Sequence, residues 1–157
     1  MAYTVKVIKY AQIFYSKALE THDPELDSPN VVIQPGTPAL QKAVEILNRM
    51  DPNYFVGVRT IIVGVSPDFG HVESGPDKDP SIINVNLNKI NQQAGGQTTG
   101  PEVIKASALV IAHERGHVKS YNQQQGFVGG EGPAMTEENR VKQWMETNQS
   151  RIQDLLQ

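Results

Sequence analysis

Residues 109–121 read LVIAHERGHVKSY, and the placement of this stretch decides how the chain is organised. An apolar run ends in two histidines four positions apart, His113 and His117, with Glu114 directly after the first. On a helix, positions four apart share a face about one turn apart. Each imidazole can then turn a ring nitrogen toward one point, as a zinc ion held at about 2.0–2.1 Å requires. Glu114 lies about 100° further round the helix, so its carboxylate suits a water bound to the ion better than the ion itself. The competing explanation is a helix with two surface histidines. The run ASALVIA before His113 argues against it, because it carries the helix into a core where polar groups must be partnered. Gly116, between the histidines, removes a side chain and lets another backbone come close.

Outward from this stretch, Pro101 opens a long helix, PEVIKASALVIAHERGHVKSYNQQQ, which Gly126 and the pair Gly129-Gly130 end. Pro133 suits a first helical turn, and AMTEENRVKQWMETNQSRIQDLL reads as a helix to the end of the chain. Upstream, residues 81–87, SIINVNL, alternate. Ile83, Val85 and Leu87 share one face and Asn84 and Asn86 the other, which predicts a half-exposed strand. Residues 91–100 and 66–80 read as loops, and VRTIIVGV (58–65) as a central strand because Ile61, Ile62 and Val63 run consecutively. Thr37-Pro38 starts a helix with the apolar stripe Ala39, Leu40, Ala43, Val44, Leu47 and Met50, ended by Asp51-Pro52. A strand at 3–9, a weakly bounded helix at 10–20 and a loop at 22–30 precede it. The expectation is an α+β fold, with residues 1–36 as an N-terminal appendage or pro-segment and 37–157 as one compact catalytic unit.

The chain has 157 residues, enough for one well-packed domain, and a net charge of −3, which argues against a nucleic-acid partner. It contains no cysteine, so metal ligands must be His, Asp or Glu. The first residues lack the apolar core of a Sec signal peptide and no stretch reads as a membrane span, so no membrane partner is expected. Those features leave the cytoplasm, or export by another route, as the expected location.

A catalytic zinc takes three protein ligands and leaves one position open. His22 and His71 are available but lie in loops far upstream, and Glu131, Glu137 and Glu138 are the better candidates. The first helix overshoots His117 by about two turns, roughly 9–12 Å, and a second helix starting near Pro133 must return as far. That favours Glu137 or Glu138. Glu138 falls in register with Ala134, Val141 and Met145, where an acid is costly without a cation. Glu138 is therefore the preferred third ligand.

HERGH followed by a glutamate-bearing helix resembles the zincin metallopeptidases, and among them the gluzincins. The order of backing helix, short mixed sheet, active-site helix and glutamate helix, over about 37–155, is similar to the minigluzincins. The extension of the metzincins is missing, since Ser120 and Gln123 stand where it would place Gly and His. EGPAMTEENRVK (131–142) also resembles a segment of effector-type and toxin-type zinc peptidases, and in that pattern Glu131 would be the ligand. The resemblance implies a zinc-dependent metalloendopeptidase, with Zn2+ on His113 and His117 and Glu114 activating the zinc-bound water. It further implies a rim strand that pairs with a peptide substrate, a role Ile82–Leu87 fits by position. Tyr121, His71 and Arg140 are candidate oxyanion donors. The alternatives are a fold of this type used for binding, with weak or no hydrolysis, and a zinc hydrolase acting on a non-peptide bond.

Overall fold

The computed structural model describes residues 31–73, 77–123 and 130–157. The strand and helix expected within 1–30, His22, and the glycines at 126 and 129 lie outside the described residues. What is described is α+β, a four-stranded mixed sheet with five helices.

Strand β1 (Val32–Gln34) is followed by helix α1 (Pro38–Met50), strand β2 (Thr60–Val63), strand β3 (Gly70–His71) and strand β4 (Ile82–Val85). Helix α2 (Leu87–Gln93), helix α3 (Pro101–Gln123), helix α4 (Glu131–Thr147) and the short α5 (Gln149–Ile152) complete the chain. The sheet order is β1-β2-β4-β3, with β1, β2 and β4 parallel and β3 antiparallel to β4 at the edge. β1 pairs Val32 with Thr60, so part of the expected N-terminal appendage is a strand of the sheet.

α1 forms where its sequence starts it. The Thr37 hydroxyl accepts from the Leu40 N–H at 3.4 Å and Pro38 occupies the first turn, where no N–H is missed. Its buried face is Ala39, Leu40, Ala43, Ile46 and Leu47, with Val44 and Met50 partly covered beside it. Burying an aliphatic side chain of this size is worth about 1.5–3 kcal/mol before the entropy of ordering it is subtracted. β2 lies inside the sheet as its consecutive apolar residues predict, with Ile61 fully buried.

Four local readings differ from expectation, the first being that α2 runs through Gln93 into the stretch 91–100 read as a loop. The segment 66–80 contains β3, too short for any alternation to show. The strand read to residue 87 stops at Val85, because the buried Asn86 accepts from the Lys89 N–H and starts α2. The last helix is broken at Asn148, whose amide donates to the Trp144 carbonyl, so α5 is separate.

α3 runs through the middle, packed on α1, the sheet and α4. At Gly116 it packs directly on the α4 backbone. A Cβ there would lie 2.6 Å from the Ala134 Cα and 3.0 Å from the Pro133 carbonyl oxygen. No side chain fits, so the glycine sets the helix separation. This contact divides α3 and α4 into two flanks, and each flank carries its own acids.

Candidate metal centre

On one flank, His113 and His117 project one turn apart from α3, with rings 5.2 Å between centroids. α4 begins at Glu131, two residues before Pro133. Proline needs no helical partner within the first turn, so Gly132-Pro133 continues the helix rather than delaying it. Glu131 therefore sits at the mouth of the α3–α4 contact. One of its carboxylate oxygens is 3.0 Å from His113 Nε2 and the other 3.8 Å from His117 Nε2. One ligand atom from each of His113, His117 and Glu131 lies within 4.8 Å of the other two, close enough to hold a metal ion.

The acid in the group close enough to hold an ion is Glu131, whereas the sequence favoured Glu138 as third ligand. Glu138 is seven residues on, two turns along the same flank, and meets the other nitrogen of His113, Nδ1, at 3.0 Å. With the proton on Nδ1, Glu138 accepts it and Nε2 turns its lone pair toward Glu131 and His117, the tautomer that metal binding requires.

Glu114 leans from α3 toward the sheet and is 5% exposed. Its Oε2 is buried without a hydrogen-bond partner. Burial pushes its carboxyl up to about 7, opposed by His113 and reinforced by the negative charges of Glu131 and Asp68. Edge strand β3 lies directly against it.

The other flank holds Glu137. It is the acid that occupies the buried stripe with Ala134, Val141 and Met145. Arg140 donates to both its oxygens, at 3.1 and 2.7 Å, and Arg115 donates to one at 3.3 Å. Arg115 also donates to the Tyr54 carbonyl at 2.9 Å and stacks on the Tyr54 ring, 4.8 Å from its centroid. Arg140 and Arg115 hold the Glu137 carboxyl below its usual range despite burial, which acts the other way. Burial, and then the Glu137 charge, raise the Tyr54 phenol well above its own range. An acid in an apolar stripe has found its cation here as the sequence argument required, but the acid is Glu137 and the cation is guanidinium.

The candidate oxyanion donors divide. Arg140 is bound to Glu137. His71 Nδ1 is 3.0 Å from the Ser66 hydroxyl, and as the neighbour of Gly70 on a strand its side chain leaves the opposite face from Glu114. Tyr121 follows His117 by one turn on α3 and is partly buried. The strand expected to receive substrate, Ile82–Leu87, is interior: β4 pairs β2 on one side, and Asn84 and Val85 pair β3 on the other. The sheet edge on this side is β3. Sequence reasoning missed Arg115, Tyr54 and Gly70, whose partners lie far away in the chain and leave no periodic trace, and Asn86, whose capping role an alternating strand pattern hides.

No protein-family model matches this chain, and no curated protein or solved structure is significantly similar to it. Among the described residues, no helix is long and apolar enough to cross a membrane.

Proposed function

We propose that the protein is a zinc-dependent metalloendopeptidase. The observation that carries this reading is the convergence of His113, His117 and Glu131, with the buried, unpartnered Glu114 oxygen beside them. The donor set fits zinc. Ligand atoms about 2.0–2.1 Å from a tetrahedral centre lie ~3.3 Å apart, close to the 3.0 and 3.8 Å by which Glu131 approaches the two Nε2 atoms. Two imidazoles, one carboxylate and no thiolate form the donor set of a hydrolytic rather than a purely structural site. Charge points the same way. Glu114, Glu131 and Glu138 meet here, and among the described residues none of them pairs with a lysine or arginine.

His113 and His117 would hold the ion by Nε2 and Glu131 by its carboxylate, while Glu138 orients His113. When bound, zinc would polarise a substrate carbonyl and make water acidic enough to ionise near neutral pH. The remaining work falls to the chain's own groups. Glu114 takes the proton from the attacking water and delivers it to the leaving amine, a task worth roughly 10²–10⁴-fold. Its burial between α3 and β3 shields it from bulk water. The outer edge of β3 offers backbone groups to an extended peptide, which would lie across the site as an added strand.

The experiment is cleavage of casein and of a quenched peptide library by the purified protein, with and without a chelator, alongside elemental analysis. The reading expects one zinc per chain, and cleavage abolished by chelation and restored by added zinc. Bound zinc with no chelator-sensitive cleavage at any pH would contradict it.

A further inference from the structure

Gly70, the first residue of edge strand β3, faces Glu114, and it has no conformational reason to be glycine. Its φ lies outside the left-handed region, so alanine is allowed by the backbone. Its reason is space. A Cβ at Gly70 would lie 2.8 Å from the Glu114 Cγ, 2.9 Å from Glu114 Oε1 and 3.0 Å from the Asn84 carbonyl oxygen. Glu114 has little room to retreat, being 5% exposed on a helix packed against the sheet.

The strand cannot easily yield either. Its register on β4 is fixed by Gly70 opposite Val85 and His71 opposite Asn84. The loop before it is stapled by Asn86, whose backbone N–H donates to the Phe69 carbonyl at 2.7 Å and whose amide donates to the Ser66 carbonyl at 2.6 Å. Asn86 is itself buried as the N-cap of α2, and Lys89 from the same helix donates to the Pro67 carbonyl. The loop Ser66–Phe69 and β3 are thereby tied to a helix start, and Glu114 is confined between a fixed strand and a fixed helix.

The geometry points to Gly70 as a positioning residue for Glu114: the missing side chain forms the slot in which the carboxylate is held against β3, one residue along α3 from His113. This rests on the proposed hydrolase only for its effect on rate. The slot itself is tested without any activity.

The test is a double-mutant cycle on thermal stability of the purified full chain, run with zinc added and with chelator, using Gly70→Ala, Glu114→Ala and the pair. Gly70→Ala is expected to lower the Tm by on the order of 5 °C in the parent background and to have little effect in the Glu114→Ala background, where the obstructing side chain is gone. Rescue of a variant that fails to fold alone by Glu114→Ala counts as the same result. Equal losses in both backgrounds would overturn the inference and move the obstruction to the Asn84 carbonyl. If the protein cleaves peptides, Gly70→Ala should also retain zinc and lose roughly 10- to 100-fold in kcat with KM little changed. A KM effect alone, or full activity, would overturn the positioning role even if the protease reading stands. Absence of cleavage by the parent protein would remove the protease reading and leave the stability cycle to decide the slot.

Discussion

The two flanks of the Gly116–Ala134 contact treat negative charge in opposite ways. On one, a single buried carboxylate, Glu137, is answered by Arg115 and Arg140. On the other, Glu131 and Glu138 contact the imidazoles, Glu114 is buried on the same helix next to His113, and none of the three forms an ion pair with lysine or arginine among the described residues. The first arrangement is complete in itself and joins the start of α4 to α3 and to the Tyr54 carbonyl. The second includes His113, His117 and Glu131 close enough to hold a metal ion, and in the proposed function a bound cation would relieve the repulsion among its acids. The helices share one interface, and the same acid type is paired with arginine on one side and gathered near histidines on the other.

The sharpest way to separate the flanks is to neutralise one acid on each. Glu114→Gln preserves shape and is expected to keep zinc while cutting kcat by about 10³-fold. Unchanged cleavage would remove Glu114 from the chemistry. Glu137→Gln should leave zinc affinity unaltered and appear instead as a lower melting temperature.

Within the metal flank, the two acids touching His113 should differ in weight. Glu138→Gln is expected to weaken zinc binding by roughly 10- to 100-fold, the usual cost of losing an orienting partner. Glu131→Gln should cost more, because Glu131 also approaches His117. Competition titration against a metallochromic chelator measures both, and the reverse ranking would restore Glu138 as the ligand.

On the packing flank, Arg115→Met leaves Glu137 with one guanidinium and also removes the bond to the Tyr54 carbonyl. The expected loss is about 2 kcal/mol, or roughly 4–8 °C in Tm by calorimetry. A Tm unchanged within error would show that the pair contributes nothing net.

The smallest effect is the acid dependence of that flank. Glu137 has a folded pKa held below its unfolded value of about 4.3, so its contribution is present above that value. It is lost as pH falls through the lower folded pKa. The stability gap between the parent protein and Glu137→Gln should therefore be constant near neutrality and close below about pH 4. A gap that widened on acidification would reverse the assignment.

The contrast also shows what the sequence could convey. HERGH and α1 were legible because helix periodicity and end signals are local: four residues place two imidazoles on one face, and Thr37-Pro38 starts a helix unaided. β2 was legible from three consecutive apolar residues. The acid that joins the two histidines was not, since Glu137 and Glu138 both satisfy a 3–4 spacing with Ala134 and Val141. The choice turned on whether α4 starts at Glu131 or at Pro133. The partners that decide it, Arg115 for Glu137 and His113 for Glu138, are more than twenty residues away in the chain. β3 was illegible because two residues carry no pattern, and Asn86 because an alternating strand hid a helix cap at its end.

The central claim is that one cation binds at His113, His117 and Glu131, and zinc titration calorimetry on the chelator-stripped protein and its His117→Ala variant tests it most directly. The account predicts one ion per chain for the parent protein and at least a 100-fold weaker affinity for the variant. A parent protein that takes up no zinc, or a variant that binds it equally well, would contradict the account.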